Sequence, residues 1–199
     1  MTDFLTLSTA VKALPVLKKG YEQYQTHRLN SALEQLNRKG VTVDEFISSD
    51  KRFASFMKFV RALETCSSQK MLETLTDFII HGVHSKKIDT EPDLFHVALV
   101  RLGDLTDTEV FILSKMQKLN MYGEPNNNSG NYEASRQLEK ELEDNLGIEK
   151  AVISSLIHGL GKSGFVIVEQ GAWANTENTY ILTSFAKYLI DLILYETRL

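Results

Sequence analysis

The sequence predicts a mainly α-helical protein with one β-hairpin near its C-terminal end. Apolar residues recur every three or four positions along most of the chain, as on the buried face of a helix. Two β-rich runs, FVIVEQ at 165–170 and TYIL at 179–182, are separated by GAWANTEN, a pattern typical of a hairpin. Ser, Thr or Asp precedes most of the predicted helices, as expected of N-terminal caps.

The chain divides into two predicted domains of similar size. Its 199 residues, 43% of them apolar, are enough for one large core or two small ones. We predict a helical domain at 1–103 and a second domain at 104–199, because a glycine and a new capping signal follow one another at the boundary. Residues 1–103 carry 14 Lys and Arg against 12 Asp and Glu, whereas residues 104–199 carry 8 against 14.

The first domain is predicted to contain only helices. They cover Leu14–Lys39, ending at Gly40, and then short segments opened by Thr42 with Glu45, by Asp50, by Ser67 or Ser68, and by Thr90 with Pro92. In the helix after Asp50 we predict an inward stripe of Phe53, Phe56, Met57, Val60 and Leu63.

Aromatic residues lie on two of these helices. Tyr21 and Tyr24 share one helix with Leu14 and Leu17, and Phe53, Phe56 and Phe59 lie on the other. We interpret them as core residues. The alternative is that aromatic pairs on adjacent helices form a dimer seam.

The second domain begins with a capping box at Thr106 and Glu109. An exposed turn-rich loop at 123–130 follows, and then a charged helix at 132–146 ended by Gly147 and a helix with a glycine-rich end at 148–161. The hairpin comes next, and Thr183 caps a closing helix. The carboxylates Glu139, Glu141, Glu143 and Asp144 are interpreted as a solvated face of the charged helix.

The end of this domain resembles the winged-helix fold. The run Tyr180-Ile-Leu-Thr183 resembles a wing strand that leads into a C-terminal helix, and Leu160–Phe165 resembles the turn from recognition helix to wing. A glycine common three residues after the threonine is Ala186 here, which is compatible with a helix. The resemblance implies a C-terminal winged-helix domain with one hairpin.

In winged-helix proteins that bind DNA, the second helix of the pair enters the major groove. The corresponding helix here, 148–160, lacks Arg, Asn and Gln, the residues best suited to paired hydrogen bonds with base edges. The candidate recognition-helix and wing residues are Lys150, Ser154, Ser155, His158, Lys162, Trp173 and Asn175.

The charge of the second domain favours protein binding over DNA binding. The winged half carries the net negative charge, whereas nucleic-acid binding normally needs a basic face. We therefore expect this half to contact another protein or a second copy of the chain. The alternative, a DNA-binding regulator, needs Lys150 and Lys162 together with a basic stripe made of Lys18, Lys19, Arg28, Arg38 and Lys39.

No motif for catalysis or cofactor binding stands out, so the sequence predicts a protein that is not an enzyme and holds no cofactor. Asp77, His81 and His84 share a helix face and, with His96, form a remote alternative as a metal site. Cys66 is the single cysteine, which fits a reducing cytoplasm. No apolar run approaches the length of a membrane span.

The order of parts also resembles the Abi-alpha (abortive infection alpha) type of bacterial proteins. The matching segments are the Ser68-Gln-Lys70 helix running to Ile79, Asp93-Leu-Phe95, Leu105-Thr-Asp-Thr-Glu109 with Ile112-Leu113, and Leu182-Thr183-Ser-Phe185. The resemblance implies a component of a phage-defence system and supplies no catalytic residues. Together with the charge pattern, it predicts a cytoplasmic, homo-oligomeric interaction or assembly module.

Overall fold

The computed structural model describes residues 7–123, 128–169 and 178–193, with side chains for 18–123, 132–169 and 178–193. The elements in those ranges are, in chain order, α1 Leu7–Arg38, α2 Val43–Ile47, α3 Asp50–Thr65, α4 Gln69–His84, α5 Lys87–Thr90, α6 Pro92–Gly103, α7 Asp107–Lys118, α8 Asn128–Leu146, α9 Lys150–Lys162, β1 Val166–Glu169, β2 Thr179–Leu182 and α10 Ser184–Ile193. The two strands pair antiparallel. A mainly α-helical class with a small antiparallel hairpin is therefore confirmed.

Local signals set several of the helix ends. The Thr106 hydroxyl accepts a hydrogen bond from Glu109 N at 3.3 Å, and Thr106 N donates to Glu109 Oε2 at 2.8 Å, which closes the predicted capping box. Gly40 has φ +75°, a left-handed conformation that costs glycine little, and it follows the end of α1. These ends follow from a few residues each, and the sequence therefore predicts them well.

Helix α4 lies at the centre of the N-terminal half, in contact with α1, α3, α5, α6 and α10. Ten of its sixteen residues are buried, which is expected of a helix covered on most sides. Helix α6 packs closely against α4 at Gly82. A Cβ atom added at Gly82 would overlap the Phe95 ring. That ring stacks on Phe78, with centroids 4.9 Å apart.

The predicted inward face of α3 is partly wrong. Phe53 and Met57 are 49% and 41% exposed, whereas Phe59 and Ala62, which lie outside the predicted stripe, are buried. The buried face is turned toward α6, where a Cβ atom on Gly103 would lie 2.8 Å from the Ala62 Cβ. The small residues Ala62 and Gly103 thus allow α6 to cover the face of α3 that carries Phe59, and not the face that carries Phe53.

The C-terminal half places a hairpin beside three helices. The register of β1 and β2 runs from Val166 opposite Leu182 to Glu169 opposite Thr179, and Leu182 N also donates to the Met121 carbonyl at 2.8 Å. The connection at 170–177 lies outside the described residues. Helix α8 begins inside the loop predicted at 123–130, since Asn and Ser are common at helix starts as well as in loops.

The last helix, α10, packs against both halves. It contacts α4 and α6 as well as α7, and the His81 Nδ1 atom lies within hydrogen-bond distance of the Leu192 carbonyl oxygen. One connected cluster of buried apolar side chains runs from Ala32 to Leu192, across the boundary predicted at 103–104. The division into domains at that position stays a prediction.

Candidate functional site

Helix α9 carries five of the seven candidate recognition residues. It begins at Lys150 after an extended Glu149, and it buries Ile153, Ile157 and Leu160 toward β1, α7 and α8. This spacing of buried residues fixes which side of the helix faces solvent. The two wing candidates, Trp173 and Asn175, lie outside the described residues.

Lys150 pairs with a buried carboxylate, while its own side chain is 50% exposed. Its Nζ lies 2.8 Å from Glu139 Oε2, and Glu139 is 5% exposed. The Tyr180 hydroxyl donates to Glu139 Oε1 at 2.7 Å, and Tyr180 N donates to the Ser135 hydroxyl at 2.9 Å. These four residues, named here the Glu139 network, join α8, α9 and β2.

The electrostatics of the Glu139 network follow from its burial. Burial, the hydrogen bond to Glu139 and the charge of that carboxylate raise the pKa of Tyr180 to about 12, although a hydrogen bond with Ser154 opposes the rise. The tyrosine therefore stays protonated and remains a hydrogen-bond donor at neutral pH. A buried carboxylate is tolerated when it is paired and hydrogen-bonded, and Lys150 and Tyr180 provide both.

The other polar candidates on α9 divide into inward and outward groups. Ser154 and His158 are half-buried, and the His158 Nδ1 lies 2.7 Å from the Ser154 carbonyl oxygen of the preceding turn. Ser155 and Lys162 are exposed. Among the residues that the structure describes, Lys162 has no ion pair, so it is the lysine of this helix that could meet a phosphate.

The solvent face of α9 is short of charge. Ala151, Val152 and Ser155 are exposed near its beginning, and Val152 is 47% exposed. Lys162 is at the far end of the helix, about three turns away. Such a surface is better suited to contact with a polypeptide than to a polyanion.

Charges of both signs surround the start of α9. A shallow depression of about 660 Å³ there is lined by Glu133, Arg136, Gln137, Glu139, Lys140, Glu143, Asp144 and Lys150. On the neighbouring face, Lys115 pairs with Glu141 at 2.9 Å, which holds the pKa of Glu141 below its ordinary value. The mixture of signs gives this depression no clear preference for an anionic or a cationic ligand.

The basic stripe required by the DNA-binding alternative does not form as predicted. Arg28 is 5% exposed, and its guanidinium donates to the Cys66 carbonyl at 2.7 Å and also contacts the Cys66 thiol. Arg38 pairs with Glu34 at 3.4 Å. A charge buried under the surface cannot bind a phosphate backbone, so Arg28 is removed from that stripe.

The remote metal alternative is also not supported by the geometry. Asp77 accepts from Gln35 Nε2 at 2.9 Å, His81 contacts the Leu192 carbonyl, and His96 Nε2 lies 2.6 Å from the Ser55 hydroxyl. No group of three metal-ligating side chains occurs in the described part of the chain. Asp77, His81 and His96 each contact a residue of a different neighbouring helix instead.

The sequence interpretation missed the partners of Lys150. The sequence predicts Glu139 on a solvated face, but Glu139 is buried together with Ser135, Leu138 and Leu142; the four residues occupy positions i, i+3, i+4 and i+7 of α8. This spacing is typical of the buried face of a helix, and it is the sequence signal that indicates the burial of Glu139. The predicted solvated face is therefore wrong for Glu139, whereas Glu143 and Asp144 are exposed as predicted.

No protein-family model, curated protein or solved structure gives a significant match to this chain. The resemblance to the Abi-alpha type therefore stays a prediction. Within the described ranges, no helix is both long and apolar enough to cross a membrane.

Proposed function

We propose that this protein is a non-enzymatic interaction or assembly module whose C-terminal half is a winged helix. The element order supports that fold: α7, α8 and α9 are followed by the β1–β2 hairpin and by α10, and Leu182 of β2 also bonds to the Met121 carbonyl between α7 and α8. In this arrangement α9 takes the place of the recognition helix.

The observation that carries the proposal is the pairing of Lys150 with Glu139. It neutralises, within the protein, the lysine at the start of α9, the part of a recognition helix that usually contacts bases. The neighbouring exposed positions are Ala151, Val152 and Ser155, which offer no charge to a phosphate. A partner polypeptide is therefore the expected ligand of this face.

A DNA-binding regulator is the second candidate, and the exposed Lys162 favours it. Fluorescence anisotropy with a labelled random-sequence duplex tests it directly, at low and at moderate salt. We expect weak binding that is the same for the wild type, for Lys162→Glu and for the matched control Lys118→Glu, an exposed lysine on α7. Tight, salt-sensitive binding that only Lys162→Glu abolishes would establish the DNA-binding function instead.

The resemblance to Abi-alpha proteins supports a role in phage defence. Expression of the protein in a bacterial host, with its neighbouring genes, should lower the plating efficiency of at least some phages. Val152→Asp, which places a charge on the exposed face of α9, should remove that protection while leaving the fold intact. Equal protection by the variant would show that phage defence does not depend on the exposed face of α9.

A further inference from the structure

A cleft of about 210 Å³ lies between α4, α7 and α10. The buried side chains that line it are all aliphatic, namely Leu113, Leu189 and Ile190. The half-buried Val110 and Ile193 extend the same apolar surface. An apolar cavity of about 150 Å³ is large enough to hold benzene. By the same proportion this space, named here the α7–α10 cleft, has room for a hydrocarbon group of about eight carbon atoms.

The polar side of the α7–α10 cleft carries a positive charge. Lys70, near the start of α4, is the one exposed residue among the described residues that line the cleft. Its ammonium group makes no ion pair with any residue that the structure describes, and no acidic side chain of that part of the chain lines the cleft. An anionic group at this position would therefore meet an ammonium group without a competing carboxylate.

Two neutral donors lie around the same cleft. The Ser114 hydroxyl and the Gln117 amide line it, and neither side chain makes a hydrogen bond within the described ranges. The Thr74 hydroxyl is already used as a donor, because it donates to the Lys70 carbonyl at 2.9 Å. Together with Lys70, the lining thus offers three donor groups, and hydrogen bonds between a charged group and its partner are the stronger kind.

We propose that the α7–α10 cleft binds a small carboxylic acid with a hydrocarbon body of up to about eight carbon atoms. The body is buried against Leu113, Leu189 and Ile190, since transfer of apolar surface out of water is favourable. The carboxylate stays beside the exposed Lys70, where it keeps contact with water and avoids the cost of a buried charge.

The division between apolar and polar lining selects this class of ligand over others. An alkyl alcohol fills the apolar part but does not pair with the charge of Lys70, and an alkyl amine brings a like charge to it. An inorganic anion leaves the aliphatic surface uncovered. The depression at the start of α9 has no such division, because charges of both signs line it.

Isothermal titration calorimetry of the full chain with sodium octanoate tests the proposal. We expect saturable binding of one octanoate per chain, with an affinity that rises by up to about fourfold for each methylene added between butanoate and octanoate. The uncharged alcohol octanol should bind about threefold more weakly or worse, and octylamine more weakly still. Failure of octanoate to bind at millimolar concentration overturns the proposal, in favour of an apolar side chain of a polypeptide as the occupant.

A charge variant tests the role of Lys70. Lys70→Gln should weaken octanoate binding by about threefold or more and leave octanol binding unchanged, because only the acid uses the ammonium group. The matched control is Lys118→Gln, which changes another exposed lysine, on α7 but outside the lining, and should leave both affinities unchanged. An equal loss in the two variants, or no loss in Lys70→Gln, contradicts a carboxylate site at Lys70.

The apolar part of the cleft is tested separately. Ser114→Phe places a ring in the cleft and should abolish binding of both octanoate and octanol, with circular dichroism to check that the variant is folded. Methyl NMR of the wild type locates the ligand without any substitution. The Leu189 and Ile190 resonances should shift on titration with octanoate, whereas those of Ile167, an exposed residue of β1, should not. Unchanged Leu189 and Ile190 resonances would place the ligand elsewhere, which overturns the proposal.

Discussion

In the N-terminal half, α4 crosses α6 through Gly82 and the stacked rings of Phe78 and Phe95, whereas in the C-terminal half α8 meets α9 through the buried carboxylate of Glu139. Both contacts fix one helix against another. The first depends on shape, so it should be insensitive to pH and salt. The second depends on a charge and its partners, so its strength should change with the protonation of those partners.

The largest effect is expected from filling the space at Gly82. Gly82→Ala forces a methyl group into the buried, stacked Phe95 ring and should lower the free energy of unfolding by about 3 kcal/mol. Denaturant unfolding measures it. Gly20→Ala is the matched control, with no atom within 4 Å of the added Cβ, and should leave stability unchanged or raise it by up to about 1 kcal/mol.

A compensating variant makes this test more specific. If shape is what holds the α4–α6 crossing together, Gly82→Ala with Phe95→Leu should recover part of the loss. A double variant less stable than the sum of the two single changes would show that the crossing does not depend on this steric fit.

The next largest effect should come from Glu139→Ala. It leaves the buried Tyr180 hydroxyl without its carboxylate acceptor, and we expect a loss of about 2 kcal/mol, less than for a fully buried pair because Lys150 is half-exposed. The comparison is Asp89→Asn, which breaks the pair with Arg52 at a carboxylate that is 35% exposed, against 7% for Glu139, and should cost less than about 1 kcal/mol. Equal losses would remove the distinction between the two pairs.

Alkaline pH should weaken the C-terminal contact in particular. The pKa of Tyr180 in the folded protein, about 12, lies above its ordinary value of 10, so its stabilising contribution is complete below pH 10 and is lost as pH rises toward 12. The same holds for Tyr188, whose pKa burial also raises to about 12. Tyr180→Phe should reduce the alkaline loss by up to about 2 kcal/mol. An ultraviolet titration that shows Tyr180 ionised at pH 10 in the folded protein would contradict the raised pKa and the predicted effect of Tyr180→Phe.

The smallest effect is expected on the acidic side. The hydrogen bond and charge of Arg52 hold the pKa of Asp89 below its ordinary value, so this pair stabilises the fold above the usual Asp pKa of 3.8 and loses that effect as pH falls through the lower, folded value. Acid unfolding of Asp89→Asn should differ from that of the wild type by less than about 1 kcal/mol.

Much of the fold could be predicted from local sequence signals. The capping box at Thr106, the glycine stop at Gly40 and the strand at 179–182 all appear in the structure, because each depends on a few neighbouring residues. The buried face of α3 could not be predicted in the same way. Phe53 and Phe59 both fit a helical stripe, and the choice between them depends on contacts with other helices, among them the close approach of Gly103 to Ala62.

The sequence names the candidate residues on α9 but not the side chains that they contact. The partner of Lys150, Glu139, is eleven positions earlier on another helix, and Tyr180 comes from the second strand of the hairpin. Arg28 shows the same limit, since its partner Cys66 follows the end of α3, 38 positions later in the chain. Periodicity indicates which side of a helix is inward, but it does not say which side chains meet there.

The packing of α10 against α4 and α6 has a consequence for biosynthesis. The first half of the chain leaves the ribosome well before the residues that cover its central helix. Apolar side chains of α4 stay accessible until translation has passed Ile193, and contacts between segments so distant in sequence form slowly. The nascent chain is therefore a candidate client for chaperones that shield exposed apolar surface during that interval.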